Sequence, residues 1–251
     1  MVKPKKRLGQ HFLQDENIAR KVLSSVSGKF SNIIEIGAGT GILSKYLLES
    51  SFYHPWFFEI DPESVQFLKK NYPAIENKII EKDFLDYDLS EFPSPFAIIG
   101  NFPYNISSQI LFKVLDWRDS VPEVVGMFQK EVAERIASPP GSKKYGILSV
   151  LMQAYYHIEY LFTVNETVFY PRPKVKSAVI RLERNDTIRL DCDETVFFRI
   201  VKTAFNQRRK ILRNSLKAFT LKENPSFSGL LGKRAEQLTV NDFVMLSQQV
   251  L

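Results

Sequence analysis

Cysteine is nearly absent from this sequence. Cys192 is the one cysteine among 251 residues, so an internal disulfide and a metal cage built from thiolates are both excluded. The histidines show no metal-ligand spacing either, and His54 and His157 lie beside apolar residues, as structural histidines do. We therefore predict no metal site and a reducing, cytoplasmic location.

Long hydrophobic runs are absent as well. No apolar run reaches the roughly 18 residues of a membrane span, and the first residues lack the apolar core of a secretory signal. A hydrophobic content of 44% and a charged content of 25% are ordinary for a globular protein. The 34 Lys and Arg residues exceed the 28 Asp and Glu residues, and this net charge of +6 favours a polyanionic partner over a membrane.

Five short apolar runs alternate with helical patterns, which is typical of β-α-β units that build a parallel sheet. The runs are 32–36, 56–60, 78–80, 96–99 and 123–128. Two further runs, 160–164 and 177–182, are separated by a proline-rich connection that is too stiff for a helical crossover, so they should pair antiparallel. We predict an α/β fold over residues 1–184, a Rossmann-like seven-stranded, mostly parallel sheet with helices on both faces.

After Arg184 the pattern becomes helical. Helices are predicted over 193–207, 208–219 and 239–251. Asp191 or Asp193 and Thr239 are suitable N-terminal caps. Residues 185–251 are therefore predicted to form a small all-α C-terminal domain.

A glycine cluster follows the first predicted strand. Gly37, Gly39 and Gly41 let the backbone approach a ligand closely. Their spacing differs from the G-x-G-x-x-G of dinucleotide folds and lacks the Lys-Ser/Thr ending of a phosphate-binding loop. Taken alone, the cluster fits a cofactor site or merely a tight strand-to-helix turn.

Acidic residues follow the next two predicted strands. Glu59, with Ile60 beside it, lies about 20 residues beyond the glycines, where a carboxylate can bind both hydroxyls of a ribose. Asp83 can accept a hydrogen bond from an adenine amine while Phe84 packs on the ring. Three successive strand ends therefore predict a nucleoside cofactor at the carboxyl edge of the sheet.

The fourth predicted strand ends in Asn101-Phe102-Pro103-Tyr104. The lone pair of an aromatic amine is delocalised into its ring, so the nitrogen is a poor nucleophile until acceptors hold its N–H groups. The Asn101 side-chain oxygen and the Phe102 carbonyl can supply both acceptors, on a loop fixed by Pro103. Tyr104 can stack on a base that is single-stranded or flipped out of its helix.

Motifs along nearly the whole chain resemble the ribosomal RNA small-subunit adenine N6,N6-dimethyltransferases, a family of class I S-adenosylmethionine-dependent methyltransferases. The motifs are Leu8-Gly9-Gln10-His11-Phe12-Leu13, Glu35 to Gly41, Asn101 to Asn105, Phe169 to Val175, Ala204 to Lys210 and Leu212-Arg213-Asn214. The sequence departs from the family pattern at Phe102, where leucine is more usual, and at Lys176, where many members have aspartate.

The resemblance implies S-adenosyl-L-methionine as cofactor and ribosomal RNA, within an immature small ribosomal subunit, as partner. It implies that Gln10, His11 and Leu13 contact the cofactor, His11 and Leu13 largely through main chain, and that Gly37 lies under its methionine part. Asn101 would lie between cofactor and target adenine, and Phe169 would stack on that adenine. We expect a monomeric enzyme that methylates two adjacent adenines of small-subunit (16S) rRNA during ribosome biogenesis.

A basic stripe near the predicted second C-terminal helix is the best candidate for RNA phosphate contact. Its members are Lys202, Arg208, Arg209, Lys210 and Arg213. The N-terminal run from Lys3 to Arg7 is a weaker candidate, because such tails are often disordered.

Three alternatives stay open on the sequence. They are a large-subunit (23S) rRNA adenine methyltransferase of the antibiotic-resistance type, a ribosome-assembly factor that acts mainly by binding, and a relative of a mitochondrial transcription factor. The intact Asn101 to Tyr104 motif disfavours the third. The segments around Phe169 and Arg208 favour the small-subunit class over the first.

Overall fold

The computed structural model of the protein describes residues 2–222 and 228–251. The helices are α1 (Glu16–Ser24), α2 (Ile42–Glu49), α3 (Pro62–Asn71), α4 (Ser107–Asp116), α5 (Lys130–Ala137), α6 (Ile147–Gln153), α7 (Glu194–Asn206), α8 (Leu212–Ser215), α9 (Ser228–Leu231) and α10 (Val240–Ser247). The strands are β1 (Phe12–Leu13), β2 (Asn32–Ile36), β3 (His54–Phe58), β4 (Ile79–Ile80), β5 (Ala97–Asn101), β6 (Glu123–Gln129), β7 (Tyr156–Val164), β8 (Phe169–Tyr170) and β9 (Ser177–Arg184).

Seven strands form one sheet in the order β4-β3-β2-β5-β6-β9-β7. The pairs from β4 through β6 are parallel, and β9 runs antiparallel to β6. Ile33 and Ile34 of β2 are both fully buried, although successive strand residues face opposite sides, so both faces of the sheet are covered. The predicted fold class is confirmed, and the last two predicted strands, β7 and β9, are neighbours in the sheet.

An apolar core around Ile33 lies on one face of this sheet. Ala19 and Val22 of α1 and Leu43 and Leu47 of α2 are at most 2% exposed and cluster with Ile33. Burial of such side chains contributes about 1.5–3 kcal/mol each, which is what holds the helices on the sheet. The carboxyl ends of β2, β3 and β5 are thereby fixed side by side.

A second, two-stranded sheet pairs β1 with β8 and was not predicted. Phe12 lies opposite Tyr170, and Leu13 lies opposite Phe169. Strands of two residues are too short to produce a recognisable alternating pattern. The pairing ties the N-terminal segment to the proline-rich connection.

The helical predictions after Arg184 need one correction. Asp193 and Thr239 cap α7 and α10 as predicted, but the predicted helix 208–219 is wrong, since only Leu212–Ser215 is helical there. Ile211 is extended and bridges Arg234, and a hydrogen bond from Leu212 N to Lys233 O continues this pairing. The local helical pattern is overridden by this long-range contact.

The chain divides into two compact units, Met1–Ala133 with Glu159–Arg184, and Glu134–Ile158 with Asn185–Leu251. One division therefore falls after Arg184, where the sequence changes character. Residues 134–158, which include α6 and the first residues of β7, group with the C-terminal residues. Within the described residues, no helix is both long and apolar enough to cross a membrane.

Candidate active site

A cavity of about 240 Å³ opens at the carboxyl ends of β2, β3 and β5. Its walls come from the N-terminal segment 8–12, the glycine turn (residues 37–41), the ends of β3 and β4, and the loop 101–106. The lining includes Gln10, His11, Gly37, Gly39, Glu59, Ile60, Asp83, Phe84, Asn101, Phe102, Pro103 and Tyr104. Most of the predicted cofactor residues and the whole predicted catalytic loop thus share one cavity.

The glycine turn has a backbone that favours glycine. Gly37, Gly39 and Gly41 have φ values of +74°, +57° and +81°, in the left-handed region. The N–H groups of Gly37 and Ala38 donate to the Phe58 carbonyl at 2.9 and 3.2 Å, which ends the pairing of β2 with β3. Gly37 and Gly39 line the cavity, whereas Gly41 begins α2 outside the lining.

Glu59 is held rigidly at the end of β3. Its carboxylate accepts from Gly39 N at 2.7 Å and from Asp61 N at 2.8 Å, and the residue is 5% exposed. Burial raises the pKa of Glu59 against these two backbone hydrogen bonds. Each oxygen bonds one backbone N–H and has a further lone pair, so this carboxylate can also accept two hydroxyl donors.

Asp83 and Phe84 form the next part of the lining. Asp83 Oδ1 accepts from Leu85 N at 2.9 Å, and the Phe84 ring packs edge-on against Phe58 with a centroid distance of 5.3 Å. Lys113 of α4 donates to the carbonyls of Leu85 and Tyr87, which fixes this turn. A carboxylate beside an aromatic ring on a fixed turn can bind a purine, because the carboxylate accepts from the amine and the ring packs on the base.

Asn101 is oriented by the N-terminal segment. Its Nδ2 donates to the His11 carbonyl at 2.8 Å, and a carbonyl can only accept, so the side-chain amide is fixed in one sense. Oδ1, attached to the same carbon, is then the acceptor on the other side of the group. Phe102 N donates to Met127 O at 3.2 Å, which fixes the following peptide of the loop.

The Phe102 side chain takes no part in these hydrogen bonds and packs in the core. Its ring is 1% exposed and packs edge-on against Phe128 at 5.1 Å. A Cβ added at Gly126 would lie 2.4 Å from the Phe102 ring, and one at Gly100 would lie 2.8 Å from it. These two glycines make room for the large side chain, so the departure from leucine is accommodated in the core.

Tyr104 and His11 form an aromatic side of the cavity. Their ring centroids lie 5.3 Å apart, and Tyr104 OH bonds Ser177 Oγ at 2.6 Å. His11 Nδ1 lies 2.6 Å from the Pro171 carbonyl and must carry the proton, since that oxygen only accepts. The connection 171–177 is therefore attached at both ends to cavity residues.

Three predicted site residues lie outside the cavity lining. Leu13 and Phe169 are 2% and 4% exposed and belong to the apolar core around Ile33, and stacking of the Phe169 ring on a target base stays a prediction. In β8 the alternation of side chains places Phe169 inward and leaves Tyr170 53% exposed. The exposed aromatic side chain of this connection is therefore Tyr170. The third is Gly41, at the start of α2.

The basic residues form no helical stripe, which corrects the prediction. Lys202 lies in α7 and Arg213 in α8, while Arg208, Arg209 and Lys210 lie in the turn between them. Arg208 donates to Lys143 O at 2.6 Å and its Nε lies 3.7 Å from Glu236, so it is engaged within its own unit. The remaining four side chains are exposed.

Sequence reasoning missed several residues of the site. Leu8, Phe12, Lys82, Asn105 and Ile106 also line the cavity. Leu8, Phe12 and Asn105 lie within quoted motifs but were assigned no site role, and Lys82 and Ile106 adjoin predicted site residues. Asp61, the N-terminal cap of α3, has further partners in the N-terminal segment.

A parallel sheet that presents a glycine turn, a buried acid and an Asn-Phe-Pro-Tyr loop to one cavity defines the class I methyltransferase fold. A profile of the ribosomal RNA adenine dimethylase family matches residues 1–249. The "Ribosomal RNA small subunit methyltransferase A" of Cytophaga hutchinsonii is 54% identical over 252 residues, covering 99% of this chain and 98% of that protein. The chain therefore belongs to the ribosomal RNA adenine dimethylase family, and it is an enzyme that methylates ribosomal RNA.

Solved structures agree with this assignment. A dimethyladenosine transferase from Plasmodium falciparum has a TM-score of 0.79 and 25% identity, with 94% of this chain and 96% of that chain covered. The 23S rRNA methyltransferase ErmE has a TM-score of 0.69 and 24% identity, with 95% of this chain and all of that chain covered. The second likeness shows that the fold alone does not separate enzymes of the two ribosomal subunits.

Proposed function

We propose that this enzyme transfers methyl groups from S-adenosylmethionine to N6 of two adjacent adenines in small-subunit (16S) rRNA, to give N6,N6-dimethyladenines during ribosome biogenesis. The observation that carries the proposal is the single cavity shared by the Gly37 turn and the Asn101 loop. A cofactor methyl group and a target amine can meet only if both sites open into the same space.

The cavity residues fit this cofactor. Glu59 has lone pairs for the two ribose hydroxyls, and Asp83 with Phe84 can bind the adenine. A side chain at Gly39 would lie 3.0 Å from the Phe12 ring and narrow the cavity, so the close approach of backbone and ligand requires glycine there. Gly37 and the main chain of Gln10 and His11 would border the methionine part.

The chemistry needs an activated amine more than a strong base. When bound, S-adenosylmethionine supplies a sulfonium methyl group, whose C–S electron pair stays on sulfur as the amine lone pair forms the new N–C bond, leaving S-adenosylhomocysteine. Asn101 Oδ1 and the Phe102 carbonyl accept the two N–H groups and draw the lone pair out of conjugation with the purine. The methylated amine then loses one proton to solvent. In a second transfer, another methyl group replaces the remaining N–H hydrogen in the same way.

The target base must leave its stack to reach Asn101. Tyr104 is half-buried at the cavity, held by Ser177, and burial raises the pKa of its phenol, so the ring is neutral. A neutral ring fixed in this way can stack on a flipped adenine. The exposed Tyr170 offers a second aromatic surface in the connection attached to His11.

Small-subunit rRNA is favoured by the relatives that match along the whole chain. The exposed side chains of Lys202, Arg209, Lys210 and Arg213 support phosphate contact by residues 185–251. The expected partner is an immature small subunit, and the enzyme would act as a monomer in the cytoplasm.

The test is methyl transfer to purified subunits. Immature small subunits from a strain that lacks the enzyme should accept about four tritiated methyl groups each, because each of the two adenines takes two methyl groups. Asn101→Ala should abolish transfer while the melting temperature stays near that of the wild type. Transfer to large subunits instead, or full activity of Asn101→Ala, would contradict the proposal.

A binding role in subunit assembly is compatible with the same residues. The Asn101→Ala protein should still bind immature small subunits, since the exposed basic side chains are untouched. Sedimentation of this variant with immature subunits would reveal such binding, and mature large subunits provide the control.

A further inference from the structure

Asp61 is a buried carboxylate that the proposed reaction does not use. Its side chain is fully buried two residues beyond Glu59, where it caps α3 by accepting from Glu63 N at 3.2 Å. Ser64 Oγ donates to its other oxygen at 3.3 Å. A helix cap alone needs only these two bonds.

Two further donors reach Asp61 from the N-terminal segment. The Lys5 ammonium group forms an ion pair with Oδ1, and Gln10 Nε2 donates to Oδ2 at 3.1 Å. The Lys5 main-chain N–H donates to Gln10 Oε1 at 2.8 Å, which completes a ring of bonds among the three residues. The Gln10 side chain is therefore directed at Asp61.

The bonds to Asp61 hold the segment that forms one wall of the cavity. Leu8, Gly9, Gln10, His11 and Phe12 all line it. Lys5 and Gln10 are attached on either side of Leu8 and Gly9, so release of Asp61 would free the wall next to Glu59. Burial by itself would raise the pKa of Asp61, but the bonds from Lys5 and Gln10 outweigh it, and the pKa lies below its ordinary value.

We propose that Asp61 is a positioning residue, which ties segment 5–10 to the strand end that carries Glu59 and thereby sets the affinity for the cofactor. The inference rests on the proposed function, because it takes this cavity as the S-adenosylmethionine site. Asp61 touches no reacting atom in this scheme, and it acts only through the segment.

The experiment compares Lys5→Met with Lys6→Met. Both remove one positive charge from the same segment, but Lys6 is exposed and has no carboxylate partner among the described residues. Affinity for S-adenosylhomocysteine, measured by calorimetry without RNA, should fall about tenfold or more in Lys5→Met, which corresponds to about 1.4 kcal/mol. It should change less than about twofold in Lys6→Met, and Lys5→Arg should restore it.

Limited trypsin digestion gives a second readout that needs no ligand. Cleavage after Arg7 should be faster in Lys5→Met and Asp61→Asn than in the wild type, and the melting temperature of Lys5→Met should be nearly unchanged. Lys5→Met leaves the α3 cap intact, so it separates the segment from the stability of the helix.

The outcomes distinguish the two proposals. If Lys5→Met and Lys6→Met bind S-adenosylhomocysteine equally and are cleaved equally, the positioning role of Asp61 is overturned, while the proposed function stands. If the wild type does not bind S-adenosylhomocysteine, the proposed function fails and the cofactor part of this inference fails with it. Faster cleavage of Lys5→Met in that case would still show that Asp61 holds the segment.

Discussion

The Asn101 side-chain amide donates to the main-chain carbonyl of His11 across 2.8 Å, although the two residues are 90 positions apart. The bond fixes which end of the amide is the acceptor. It also makes the geometry of the loop 101–106, the proposed catalytic loop, depend on the N-terminal segment, which comes before the first strand of the main sheet.

Asn101→Asp tests this orientation. The carboxylate keeps an acceptor oxygen but places negative charge against the His11 carbonyl, so the group should turn away from its present position. We expect kcat to fall by about 100-fold or more, a loss typical of one misplaced polar group at a reacting centre. Single-turnover methyl transfer measures the chemical step. Unchanged kcat would show that the bond to His11 is not needed.

Glu35 predicts how stability depends on pH. Burial raises the pKa of Glu35 to about 8, against the bond from Ser44 Oγ. Between the ordinary value of 4.5 and about 8, the folded state holds a proton that the unfolded state has lost, so the free energy of unfolding falls as pH rises.

The Glu35→Gln protein should lose less melting temperature than the wild type between about pH 5 and pH 9. Glu49→Gln removes an exposed carboxylate from α2 and serves as the control. Scanning calorimetry across this range makes the comparison. Parallel curves for the wild type and Glu35→Gln would refute the prediction.

Phe169 and Tyr170 should separate stability from RNA binding. Phe169→Ala leaves a cavity in the core and should cost about 3–5 kcal/mol of folding free energy. Tyr170→Ala should leave stability within about 0.5 kcal/mol and raise KM for the subunit several-fold, because it removes an exposed aromatic surface. Denaturant titration and subunit-dependent kinetics test the pair, and a reversed pattern would restore Phe169 as the stacking residue.

The basic residues make a prediction about salt. Arg209→Ala and Lys210→Ala should each weaken binding to rRNA and reduce the slope of log affinity against log salt by about 1 if each contacts one phosphate. Arg208→Ala should instead lower the melting temperature, because it removes the bonds to Lys143 O and Glu236. Filter binding at several salt concentrations distinguishes them. An Arg208→Ala protein of full stability with a reduced slope would contradict this assignment.

The parallel sheet could be predicted because each strand is a short apolar run and each ends at residues with recognisable chemistry, such as Gly37, Glu59 and Asn101. The exact residue at which each strand ends could not be predicted, because it depends on contacts in the tertiary structure. The second predicted run continues past Phe58 in sequence, but β3 ends at Phe58, whose carbonyl accepts from the N–H groups of the glycine turn.

It was harder to predict which side chains point into the core and which point to solvent. Phe169 and Tyr170 are adjacent aromatics of similar pattern, and only the pairing of β8 with β1 decides which one is buried. Arg208 to Lys210 likewise read as a continuing helix, and the distant partner of Ile211 prevents it. Local sequence does not encode such partners when the paired segments are two residues or fewer.

The pairing of Phe12 with Tyr170 has a consequence for synthesis of the chain. The cavity wall beginning at Leu8 leaves the ribosome before its strand partner and the Pro171 carbonyl that binds His11, which emerge about 160 residues later. A nascent chain can build β2 to β6 before then, but not the finished wall. The cavity wall is thus completed only after the chain has been synthesised through Pro171.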